Sequence, residues 1–113
     1  MLSHEDVCLL LGFEIDKDWT IQEIFRLNKL AGFVLIKDNE IHCWRHPEFD
    51  GIWLTKHTIQ KVIQPLIDNY GCVVTKVRNV NNTGHKFVTR LGFKKVSEND
   101  YYTNYRIERL THA

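Results

Sequence analysis

The stretch from Cys72 to Phe93 restricts the possible architectures of this chain more than any other. It begins with a β-branched run, Val73 to Val77, that reads as a buried strand. It then turns through Asn79, Asn81, Asn82, Thr83 and Gly84, residues that readily satisfy their own backbone in turns. A short helix follows, with Phe87, Val88 and Leu91 as its apolar face. Gly92 stands where a left-handed helix stop is wanted, and Phe93 restarts an extended segment.

The rest of the chain is read outward from that stretch. Ser3 with Asp6 can cap a short helix carrying Val7, Leu10 and Leu11, ended by Gly12. Thr20 with Glu23 has the spacing of a second capping box, which predicts a helix through Ile21, Ile24, Phe25 and Leu27, closed by Gly32. Phe33 to Lys37 and the alternating Ile41 to Arg45 are strands separated by an Asp38-Asn39 turn, and Ile52 to Thr55 is a third. Thr58 caps a helix with Ile59, Val62, Ile63, Leu66 and Ile67 as its stripe, with a kink expected at Pro65. After Phe93, Lys94 to Val96 and Tyr101 to Arg109 are strands. Tyr101, Thr103, Tyr105 and Ile107 share a face of the last one. The expected order is therefore helix, helix, three-strand meander, helix, strand, helix, two strands.

At 113 residues the chain has room for one domain, 1–113, with one modest core. A net charge of +1 argues against dedicated nucleic-acid binding while leaving room for a local basic patch. Lys86, Arg90, Lys94 and Lys95 form such a cluster around the last helix. Three separated cysteines, Cys8, Cys43 and Cys72, read as reduced core residues of a cytoplasmic protein. No window approaches a membrane span, and no signal-peptide pattern opens the chain.

The 72–93 stretch resembles the C-terminal half of the GNAT (acetyl-CoA-dependent N-acetyltransferase) superfamily. Counting from Asn81, the matching residues are Phe87, Leu91, Gly92 and Phe93. The resemblance covers about residues 20–109 and implies an α+β fold with a GNAT-like mixed sheet, its first family strand reduced or missing. It also implies a splayed gap between two strands for the pantetheine arm. Of the family's devices, strand backbone to hold the pantetheine amides survives at Ile52, Trp53 and Leu54. The glycine-rich pyrophosphate loop does not, because Leu54 to Gln60 contains no glycine. Lys56, His57 and the Thr58 hydroxyl remain to meet an anion at the helix start, and Asn81 lines the cofactor side. Val88 occupies the position of the tyrosine that protonates the leaving thiolate. If the chain is active, His46, Glu48 and Asp50 are the base candidates.

Two readings follow. In the first, acetyl-CoA chemistry is lost, no cofactor is expected, and acetyl-CoA binds no tighter than about 100 μM, roughly −5.5 kcal/mol. The chain then acts through a protein partner or self-association. It is similar in this respect to the small GNAT-like internal virion and head-assembly proteins of short-tailed bacteriophages, which would place it in the host cytoplasm or the particle. In the second, it is an acyl-CoA-dependent N-acetyltransferase with an atypical phosphate grip. A metal is expected in neither. His42 and His46 point one way on their strand and Cys43 the other, so the three cannot converge on one ion. Tyr102 and Trp53 are the aromatics expected to be exposed.

Overall fold

The computed structural model describes residues 1–49 and 54–110. They form three helices and six strands, in two compact units, Met1–Lys56 and His57–Ala113.

The first unit opens with helix α1, His4–Leu11. Its start is the expected capping box: the Asp6 amide donates to Ser3 Oγ at 3.1 Å and the Ser3 amide to Asp6 Oδ2 at 3.0 Å. Its end is Gly12 at φ +80°, whose amide donates to the Cys8 carbonyl. Strands β1 (Thr20–Arg26), β2 (Lys29–Lys37) and β3 (Glu40–Arg45) follow as an antiparallel meander.

Here the sequence expectation is corrected. Thr20 to Leu27 is no helix; it pairs along β2 from Thr20↔Ile36 to Arg26↔Lys29, with a bulge between Ile24 and Phe25. The bulge places two apolar residues in succession, so Ile21, Ile24 and Phe25 mimic helical spacing. Leu27 and Asn28 close the hairpin at φ +52° and +64°. Such a two-residue turn asks for left-handed conformations that Asn or Gly take readily, and Leu27 disguises it. Gly32 lies buried inside β2, opposite Arg45, and ends nothing.

Around β2 the core is Val7, Phe33 and Leu35, all nearly inaccessible. Trp19, Ile21 and Trp44 pack on it, and Trp44 stacks on its cross-strand partner Phe33 with centroids 5.1 Å apart. Ile41 and Cys43 do alternate with His42 and Trp44, but Cys43 is exposed rather than in the core; Cys72 alone of the three is buried.

The second unit begins inside α2, Lys56–Tyr70, at His57. Ile59, Val62 and Ile63 are buried, and Pro65 sits within the helix. Thr58 lies in the first turn instead of capping it. Strand β4, Val73–Arg78, then helix α3, Asn82–Leu91, then β5, Lys94–Glu98, and β6, Tyr102–Ile107, complete the unit. β6 pairs antiparallel with both β4 and β5, so α3 carries the chain over β6. Val73, Thr75 and Val77 face inward with Thr103, Tyr105 and Ile107, as the alternation predicts. Tyr101 falls outside that strand and is exposed.

The third expected strand, Ile52 to Thr55, falls mostly outside the described residues; Leu54 and Thr55, which are described, are not in a strand. No described helix is long and apolar enough to cross a membrane.

Candidate functional site

Two helix starts in the second unit carry the residues singled out from the sequence. At α3, Asn81 is the N-cap: its Oδ1 accepts from the Gly84 amide at 2.9 Å, and its carbonyl accepts from the His85 amide at 3.1 Å. Asn81 is exposed. Gly84 makes this turn possible, because a Cβ there would lie 2.6 Å from Asn81 Nδ2 and 2.9 Å from a Val77 methyl. At the other end, Gly92 at φ +105° stops the helix as expected. Val88 is buried.

At α2, His57 is exposed and Thr58 half-buried, and the first turn holds no acidic residue. The positive end of the helix dipole there therefore faces no carboxylate of its own first turn. Leu54, before it, is buried. Lys56 begins the helix, but its side chain lies outside the description, as do Asp50, Ile52 and Trp53 entirely.

In the first unit His46 and Glu48 are adjacent in a turn after β3. The Glu48 amide donates to His46 Nδ1 at 3.1 Å, and the imidazole sits edge-on to Trp44 and Phe49. With Nδ1 occupied as an acceptor, the neutral ring carries its proton on Nε2 and has no free lone pair. Glu48, exposed, has no such restraint. His42 is held 2.6 Å from Glu40 and lies against Trp19. Among the described residues, no three His, Cys, Asp or Glu side chains gather as metal ligands.

One cluster escaped the sequence reading. His85, in the first turn of α3, reaches Tyr105 Oη through Nδ1 at 2.7 Å and the Asn79 carbonyl through Nε2 at 3.3 Å. A carbonyl only accepts, so Nε2 carries the proton and Nδ1 receives the Tyr105 hydroxyl. Thr103 Oγ1 donates to Asn79 Oδ1 at 2.7 Å, while Asn79 Nδ2 donates to the Asn99 carbonyl, also at 2.7 Å. The inward register of Tyr105 was legible; that His85 would turn to meet it was not.

No family model matches the chain, and no curated protein matches it by sequence. Solved structures do. The PaiA N-acetyltransferase of Thermoplasma acidophilum, in complex with coenzyme A, superposes with a TM-score of 0.68 at 17% identity, over 93% of this chain and 67% of that one. The Campylobacter jejuni N-acetyltransferase PseH, in complex with acetyl coenzyme A, gives 0.69 at 15% identity, over 93% and 78%. The chain has the GNAT fold. The ribosomal-protein-S18-alanine N-acetyltransferase of Escherichia coli gives 0.64 at 12% identity over 96% and 79%. Within the GNAT fold the 72–93 stretch is the β4–α3 turn and helix described above. None of these neighbours points to a phage particle.

Proposed function

We propose that the chain is an acyl-CoA-dependent N-acyltransferase with a side-chain phosphate grip. The observation that carries this reading is the superposition of 93% of the chain on two N-acetyltransferases whose structures contain coenzyme A or acetyl coenzyme A. In this proposal the start of α2, through its helix dipole and the side chains of Lys56, His57 and Thr58, receives the phosphates in place of a glycine loop. Asn81 stands on the cofactor side, and backbone at Ile52 to Leu54 takes the pantetheine amides.

The chemistry balances without the family tyrosine. The amine attacks the thioester carbonyl, a carboxylate takes its proton, the C–S bond breaks, and that proton passes through water to the leaving thiolate. Among the base candidates Glu48 is preferred over His46, whose Nδ1 is already engaged, with Asp50 the other carboxylate. Val88 has no proton to give, and loss of general-acid help lowers the rate by about 10²–10⁴-fold. A slow enzyme is therefore expected, with binding retained.

Calorimetry with acetyl-CoA tests the proposal, combined with release of free CoA thiol in the presence of a panel of primary amines. The expected result is a low-micromolar Kd, weakened at least about tenfold, or 1.4 kcal/mol, in Lys56→Ala. Binding no tighter than about 100 μM, roughly −5.5 kcal/mol, overturns it and returns the chain to the non-catalytic reading.

A further inference from the structure

We propose that the outward face of β4–β6–β5 is a binding platform for single-stranded nucleic acid, a role separate from acyl transfer. The pleat turns Lys76 and Arg78 of β4, Tyr102, Asn104 and Arg106 of β6, and Lys94 of β5 to one side. The register confirms it, since Lys76 lies opposite Asn104, Arg78 opposite Tyr102, and Arg106 opposite Lys94. Lys76, Arg78, Arg106 and Lys94 are all exposed, and no carboxylate occupies an outward position of these strands. A chain of net charge +1 has thus gathered cations on one face of one sheet. Averaged over the whole sequence, that segregation disappears.

The chemistry of the face selects its partner. Neighbouring strands are about 4.8 Å apart and alternate residues about 6.6 Å apart along a strand, so the cations form a grid able to follow a phosphate backbone. Amid them Tyr102 offers an aromatic surface, with Lys76 Nζ 4.8 Å from its ring centroid. An ammonium over the ring is displaced readily by a base, since it then gains a phosphate in exchange. Asn104, anchored by donating to Ser97 Oγ at 3.0 Å, keeps its amide oxygen available to base edges. Arg106 is shared with Glu108 at 3.2 Å, so the other three supply most of the electrostatic attraction. An acidic protein segment would use the cations but leave the aromatic unused.

Fluorescence anisotropy of labelled 12-mers of dT and rU with the full chain tests this. Affinity is expected to fall about 20- to 50-fold between 50 and 200 mM salt, for three to four phosphates contacted. Lys76→Gln/Arg78→Gln should lower the slope of log K against log salt by about 1.4. Tyr102→Leu should weaken binding at every salt concentration with the slope unchanged. Lys76 and Arg78 are exposed while Tyr102, expected to be exposed, is half-buried, and thermal melting confirms that the variants fold. Absence of binding at about 100 μM chain overturns the proposal. So does an unchanged slope in the double variant, or an equal loss in Lys86→Gln/Arg90→Gln on α3. Displacement of the strand by oligoglutamate of equal charge would overturn it in favour of an acidic protein partner.

Discussion

The Tyr105 hydroxyl donates to His85 Nδ1 across 2.7 Å, joining the first turn of α3 to the middle of β6. Tyr105 is buried and His85 half-buried, so water replaces this bond poorly. Tyr105→Phe leaves the imidazole nitrogen without its donor. The variant is expected to lose about 1–3 kcal/mol in urea unfolding. His85→Phe in the Tyr105→Phe background removes the orphaned nitrogen but also takes the Nε2 donor from the Asn79 carbonyl, so little of that loss should be recovered.

Gly84 is required by space and not by its torsion. Its missing Cβ would press on the Asn81 carboxamide and on Val77. Gly84→Ala is expected to cost about 1–3 kcal/mol and to detach the N-cap. Loss of slow hydrogen exchange at the Gly84 and His85 amides would report it.

Phe33 is wholly buried and stacked on Trp44. Phe33→Ala should cost about 3–5 kcal/mol, a large share of the stability of a chain this size. Trp44 emission should shift to the red in the folded variant as water reaches the ring, provided denaturant curves confirm that folding survives. Trp44→Leu should cost less, since Trp44 is half-buried.

Asp6 holds its proton less tightly than an ordinary carboxylate because the Ser3 backbone and hydroxyl hydrogen-bond its charged form. The folded value lies below the ordinary 3.8. Stability from this cap is therefore fully present above that ordinary value and is lost as pH falls through the lowered one. Acid titration followed by NMR should show the Ser3 and Asp6 amides shifting together below pH 3.8. Asp6→Asn should flatten that response.

Most of the fold was legible because its signals are local. Ser3 with Asp6 and Gly12 mark the ends of α1 by the hydrogen bonds those side chains and that left-handed glycine make. Asn81 and Gly92 delimit α3 for the same reasons. The alternation of Thr103, Tyr105 and Ile107 gave their common face before any partner strand was known. The candidate site was less legible. His46 qualifies as a base by residue type, and only the Glu48 amide seated on its Nδ1 weakens that role.

By itself, the sequence determined where α1 and α3 begin and end and which side of β4 and β6 is apolar, since capping and pleat alternation act within a few residues. Tertiary structure alone decided that Thr20–Arg26 is a strand. Its apolar spacing suits a helix equally well, and the balance was tipped by pairing with β2 across a turn in which Leu27 adopts a left-handed conformation. It alone also gathered Lys76, Arg78, Arg106 and Lys94 on one face, because cross-strand register sets which distant residues become neighbours.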